Sequence, residues 1–375
     1  MATITPPSRS TLIRGCALMS ARDNHTHYFL GTSDRILPIR SSIQRSALIE
    51  IAHGRDPLTA LAGSGNQELA EEIELFLHTL DTYGFLNQRP QSLVLTQRTT
   101  TDSSAVDLAH HHLQRLAEPE LAQSEWIDRA SDCGTSTISA RALHPIVLSG
   151  RSRVITILYS LLLASGVSRV RFLDRHYRTQ VESYDLGCGV IGNRDLGLNY
   201  YEISEGARRS ASLFPIDKSA RYEIDAKEPA AIIHYGDCDP EDLVEWSNKS
   251  IPHLLIHRPI GDEIVLGPLV LPGESPCIRC FSLYERDNLG YTRLERIDLN
   301  EVEELPFITA HYIASIAASQ ILHFIDQLDK PEEGFTHQFP TRNYGLGEVT
   351  YINFQRLTQP QVVAIARHPL CGCDF

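Results

Sequence analysis

The chain has 375 residues, 42% of them hydrophobic, and 47 acidic residues against 34 basic ones give a formal net charge of -13. That length and apolar content can bury at least one large core and suit two or three domains. The negative field repels phosphate backbones and anionic headgroups, which argues against a nucleic-acid or membrane partner.

Residues 1–14 lack the apolar stretch of an export signal. The apolar run at 155–167 is too short and interrupted for a bilayer, which needs ~20 residues. A soluble, cytoplasmic protein is expected. Extended segments are predicted at 12–19, 25–31 and 35–39, separated by turn-rich Asp23-Asn24 and residues 31–34. Ser41-Ser42 offers a helix N-cap, Asp56-Pro57 a second helix start, and a third helix over 66–83 carries Leu69, Ile73, Phe76 and Leu80 as a buried stripe before Gly84. Strands followed by three such helices have a winged-helix-like pattern. Residues 40–87 nevertheless hold three Arg and no Lys against seven acidic residues, a surface that repels phosphate.

Residues 88–143 read as a partly helical connector, with a polar cluster at 99–104 and a helix over 105–117. His110-His111-His112 sit there, but successive helical residues diverge by about 100° and do not converge on one ion. From residue 144 the pattern alternates: a strand at 146–149, a helix at 152–165, a strand at 169–174, a helix near 201–213, and strands at 230–234 and 253–257. This predicts a βαβ unit in a mostly parallel sheet. The apolar segment 307–328 predicts a long helix that is buried or shared between subunits of a homodimer. The domains are thus 1–87, 88–143 and 144–375.

Cys277-Ile278-Arg279-Cys280 follows a Pro-Gly loop, and Cys371-Gly372-Cys373 lies at the chain end, where glycine permits the tight bend a one-residue spacer needs. Four thiolates at ~2.3 Å from one ion form a closed tetrahedral zinc site, structural because no position is open to water. Local disulfides, free thiols and a redox-active Cys-x-x-Cys are the alternatives. The reducing compartment and the two close pairs favour zinc. Cys16, Cys133, Cys188 and Cys238 stand alone and read as packing residues.

A nucleotide site on the βαβ unit needs small residues in its first turn, so that backbone N–H groups reach phosphate. The turn here is Ser149-Gly150-Arg151-Ser152-Arg153-Val154, with one glycine. Asp174, at the end of the second strand, suits a ribose hydroxyl. Gly150, Arg151 and Asp174 therefore read as a vestigial site, and ATP binding is not expected.

The βαβ unit, the Gly-Pro-Leu-Val-Leu-Pro-Gly stretch at 267–273 with Cys-x-x-Cys after it, and His-Pro-Leu-Cys-Gly-Cys at 368–373 resemble the ThiF-like proteins of thiazole/oxazole-modified peptide biosynthesis, relatives of the ubiquitin-activating and ThiF/MoeB adenylating enzymes. The resemblance covers residues 12–373. It implies an α/β fold: a winged-helix-like peptide-recognition domain, then a Rossmann-type domain with a four-cysteine zinc site. It further implies a non-catalytic scaffold that binds the leader of a ribosomal precursor peptide and presents it to a YcaO-type cyclodehydratase for azoline formation, with a flavin-dependent azoline dehydrogenase as a further partner. The arginine-bearing motif of adenylating relatives is not found at Tyr184-Asp185-Leu186-Gly187. Leader binding is expected by strand addition to the border strand that holds Pro38, with Arg35, Ile36, Leu37, Ile39, Leu75 and His78 in contact and Glu74 and Thr79 at the rim. A zinc-containing adenylating enzyme and a metal-sensing winged-helix regulator are the competing readings.

Overall fold

The computed structural model describes residues 9–13, 15–21, 24–32, 35–62, 66–89, 134–173, 179–187, 191–213, 228–296, 305–328 and 345–373. They fall into two compact units, residues 1–138 and 139–375. The polar cluster at 99–104, the His triplet, Asp174, Cys133 and Cys188 lie outside the described residues.

In the first unit, β1 (Arg9–Leu12), β2 (Ala17–Ala21), β3 (Asn24–Gly31) and β4 (Ile36–Ile39) precede α1 (Ser42–Ala52) and α2 (Gln67–Thr82), and β5 (Leu86–Arg89) pairs antiparallel with β1. The strand expected at 12–19 is two strands, because Gly15 turns the chain with φ +76 between them. β2, β3 and β4 form an antiparallel sheet with β2 and β4 at its borders. Ser41 caps α1, its hydroxyl accepting from the N–H of Gln44, and Asn66 caps α2 in the same way. The helix expected after Pro57 is only a five-residue π turn, Leu58–Ala62. Leu30, Leu37 and Ile39 of the sheet bury against Ala47, Leu48 and Ile51 of α1 and Phe76 and Leu80 of α2.

The unit boundary falls within α3 (Thr135–Arg141). Next come β6 (Ile146–Ser149), α4 (Arg153–Ala164) and β7 (Val170–Phe172), the predicted βαβ unit, then α5 (Tyr200–Ala211), β8 (Ala231–Tyr235), α6 (Pro240–Asn248) and β9 (His253–Ile256). β10 (Glu263–Val270), α7 (Ile278–Leu289), α8 (Phe307–Leu328), β11 (Glu348–Asn353) and β12 (Gln361–Ala364) complete the unit. The seven strands run β12-β11-β10-β9-β8-β6-β7. β7, β6, β8 and β9 are parallel neighbours, while β9 to β12 pair antiparallel. The sheet is therefore only half parallel, since β10 to β12 return as adjacent antiparallel strands that need no crossover helix.

α8 packs along α4, with Ile313, Ala314, Ala317, Ile321 and Ile325 in the core. It is long and apolar enough to span a bilayer, unlike the run at 155–167, yet 56% of its apolar window is buried inside this unit. Arg141 donates to both carboxylate oxygens of Asp326 at 2.7 Å, a buried pair that ties α3 to the end of α8. The crossover from β6 goes one way to β7 and the chain then returns to β8 on the other side. The carboxyl ends of β6 and β8 thus flank the crevice where open α/β sheets bind ligands.

Candidate functional site

The cysteine quartet is assembled by two pieces of backbone from opposite ends of the unit's C-terminal half. Cys277 is the N-cap of α7 and Cys280 lies in its first turn, buried. The helix is held by a buried ion pair in which Arg293 donates to Glu285 at 2.7 Å, with Thr292 donating to the same carboxylate. Cys371 and Cys373 come from the tail after β12. All four sulfurs lie within 4.8 Å of one another, with Cys277–Cys371 at 3.3 Å, Cys280–Cys373 at 3.4 Å and Cys277–Cys280 at 3.9 Å. A tetrahedron of sulfurs ~2.3 Å from a central ion has edges of about 3.8 Å, so the quartet fits a metal.

Its surroundings support the same reading. Burial and the adjoining sulfurs push the Cys371 and Cys373 thiols up, Cys373 to about 11, a crowding that a divalent cation relieves by binding thiolates. At Cys280 burial works upward too, but hydrogen bonds from the backbone of His368 and Cys277 and from the Cys373 and Cys371 thiols together draw that thiol down. The His368 N–H points at the Cys280 sulfur at 3.3 Å. Its ring accepts from Leu370 N–H at Nδ1, so Nε2 carries the proton and donates to Asp287 at 2.9 Å, which clamps the tail beside α7. Cys16 and Cys238 are half-buried and stand apart from the quartet.

At the carboxyl end of β6, Gly150 has φ +86, and a Cβ there would sit 2.1 Å from the carbonyl oxygen of Tyr235 on β8. Only glycine fits that approach. Arg151 then turns toward the segment that follows β7. Its Nη2 donates to Asp185 Oδ2 at 2.8 Å and Gln180 O at 2.7 Å, and the guanidinium lies over Tyr184 with a ring-centroid distance of 5.0 Å. Arg153 is buried and donates to Leu305 O at 2.7 Å while covering Phe307. Ser152 caps α4, its hydroxyl accepting from Ile155 N–H.

Sequence reasoning overlooked the neighbouring strand ends. His234 of β8 shares a 2.9 Å bond with Ser149 of β6, and Asp237 pairs with Arg296 at 3.1 Å and Arg258 at 3.6 Å. The signal was available in the strand-terminal Gly236-Asp237 and His257-Arg258, which follow the strands of a parallel core where ligand groups concentrate.

In the first unit, β4 is a border strand whose two flanks are pinned to α2. Arg35, before the strand, donates to the carbonyls of Tyr83 at 3.0 Å and Gly84 at 2.8 Å, and Ser41, after it, donates to Glu72 at 2.7 Å. Leu37 and Ile39 are buried in the core; Ile36 and Pro38 are exposed. Thr32 N–H bonds Arg35 C=O, so in the β3–β4 register the residues facing the free edge are Ile36 and Pro38. Pro38 has no N–H to leave unpaired there. The edge presents one donor, Ile36 N–H, and the carbonyls of both residues, while Arg40 N–H is already taken by Gln44 at 2.7 Å.

On α2, a residue advances 100° per position. Ile73, Phe76 and Leu80 face the core. Glu72, Leu75 and Thr79 follow one another on a single flank, the one to which the Ser41 and Arg35 bonds align β4. Leu75 is 68% exposed. Glu74 is exposed on the far flank, and His78, one heptad after Glu71 and within about 20° of it, is exposed on the side opposite the core. Of the eight residues expected at a peptide, the structure brings Ile36, Leu75 and Thr79 to this strand–helix groove. It gives Leu37 and Ile39 to the core and Arg35 to the helix end.

No protein-family model and no curated protein sequence matches the chain. Solved structures do. Escherichia coli MccB with ATP aligns with TM-score 0.58 at 12% identity, covering 97% of this chain and 99% of that one. The microcin C7 biosynthetic enzyme MccB in complex with N-formylated MccA aligns with TM-score 0.59 at 13% identity over 98% and 99%. PaaA aligns with TM-score 0.57 at 15% identity over 94% and 99%. The chain therefore has the α/β fold of MccB and PaaA along nearly its whole length.

Proposed function

We propose that the chain is a peptide-binding scaffold of ribosomal peptide maturation, which holds a precursor's leader on its first unit and does not adenylate it. The observation that carries this reading is the groove of β4 and α2: a border strand pinned at both ends, with outward backbone groups and an exposed leucine on the adjoining helix flank. Strand addition gives such an edge its affinity through backbone bonds and its selectivity through flanking side chains. The winged-helix-like element is this recognition domain. MccB, which shares the fold, has been solved with its MccA peptide bound, which supports a peptide as the ligand. The partners in this reading are a YcaO-type cyclodehydratase, which performs the ATP-dependent chemistry, and a flavin-dependent azoline dehydrogenase. Zinc is the ion for the Cys277, Cys280, Cys371 and Cys373 quartet, and it fastens the tail to α7.

Calorimetric titration of the full chain with the precursor peptide encoded beside it tests the reading. Binding in the micromolar range or tighter is expected, weakened by Leu75→Asp. No heat, or affinity only in the millimolar range, removes the scaffold. A second reading, an adenylating enzyme, is favoured by the likeness to ATP-bound MccB and by the Gly150 turn. The capture of Arg151 by Asp185 weighs against it.

A further inference from the structure

From the same groove we infer the chemistry of the bound peptide: an extended segment with an apolar side chain and, two residues from it, a lysine or arginine, both facing α2. This rests on the peptide-binding reading and adds the side-chain pattern to it.

The flank of α2 that runs beside β4 is divided along its length. Its C-terminal half presents Leu75, 68% exposed, Thr79, and Tyr83, 52% exposed. Its N-terminal half presents Glu68 and Glu72, with Glu71 next to them around the helix. α2 contains no Lys or Arg to neutralise them. Glu72 accepts from Ser41 and Glu71 from the neutral amide of Gln67. Arg35, the cation beside the other end of the groove, points its guanidinium at the helix-end carbonyls.

The spacing follows from geometry. From Leu75 back to Glu71 is four helical residues, about 6 Å. Two residues of an added strand span about 6.6 Å and return to the same face. An apolar side chain over Leu75 therefore places the side chain two positions away over Glu71 and Glu72. The intervening residue turns to the other face, beside exposed Ile36. A carboxylate at the second position would meet three glutamates, and like charges so placed repel.

The test is selection of random peptides displayed on phage against the immobilised full-length chain, repeated with Glu68→Lys/Glu71→Lys, two exposed changes that leave the core untouched. The inference predicts enrichment of an apolar residue two positions from Lys or Arg. It also predicts that a synthetic enriched peptide loses about tenfold affinity for the double variant, with weaker salt dependence. Enrichment of acidic or uncharged peptides, or of cationic ones indifferent to the double variant, overturns the inference while peptide binding stands. If no peptide is enriched, and the precursor titration is silent as well, the peptide-binding reading itself falls and takes the inference with it.

Discussion

Arg151 and Asp185 form an ion pair of 2.8 Å in which the carboxylate is fully buried and the guanidinium is 22% exposed. The arginine lies in the first turn of the βαβ unit, where a nucleotide-binding protein needs room, and the aspartate sits in the segment that follows β7. The bond joins two segments 34 residues apart in sequence. In the scaffold reading it adds to the crowded first turn as an argument against nucleotide binding.

Removing the arginine strands the carboxylate. Arg151→Ala should destabilise the protein by about 3 kcal/mol, because an uncompensated buried charge remains. The double change Arg151→Ala/Asp185→Ala should recover part of that loss. Urea unfolding of both variants measures it, and a single variant with wild-type stability would show that the pair carries no structural load.

For the metal centre, Cys277→Ser should abolish stoichiometric zinc, while Cys238→Ser should retain it. Loss of the ion should also lower the melting temperature by roughly 10 °C, since metal binding is coupled to the docking of the tail. Elemental analysis and thermal melts with and without chelator check both. A full zinc complement in Cys277→Ser would remove that thiol from the site.

His257 is wholly buried and points Nε2 at Gly267 C=O, 3.0 Å away. Burial, with Arg293 nearby, pushes its pKa from the ordinary 6.5 down to about 3. The unfolded chain therefore binds a proton below pH 6.5 that the folded chain refuses. Stability from this group is complete above pH 6.5 and drains as pH falls toward 3, by about 1.4 kcal/mol per unit. Between pH 6.5 and 5 the loss from His257 alone should be about 2 kcal/mol, and His257→Gln should flatten the slope. An unchanged slope in the variant would assign the acid sensitivity elsewhere.

At the groove, Leu75→Asp should weaken precursor binding by at least tenfold, in line with about 1.5–3 kcal/mol for a lost apolar side-chain contact plus a new like charge. Glu74→Ala, on the far flank of the helix, should leave affinity within about twofold. Equal losses in both variants would mean that the peptide crosses the helix rather than following β4.

Much of this architecture was legible in the residues. The cap at Ser41, the βαβ unit and the stripe Ile73, Phe76 and Leu80, whose expected fourth member Leu69 is only half-buried, rest on local periodicity and turn chemistry. The cysteine quartet was legible because two close pairs leave few other arrangements. The antiparallel half of the sheet was not, because β10 meets β11 only across a long stretch of sequence, with Glu263 opposite Asn353. Nor was the partner of Arg151: the turn read as a vestigial nucleotide site, and Asp185 reaches the arginine from 34 residues away. The groove residues were half legible. Edge position followed from Pro38, but which flank of α2 adjoins β4 depended on the Ser41 and Arg35 bonds.

The claim that this chain holds a peptide without activating it meets its most direct test in ATP–pyrophosphate exchange, run with the purified protein and saturating precursor peptide. The account predicts label incorporation no greater than in the protein-free control. Exchange at ordinary enzyme rates, of order 1 per second or faster, would contradict it and make the Arg151–Asp185 lock an element of an active adenylating site.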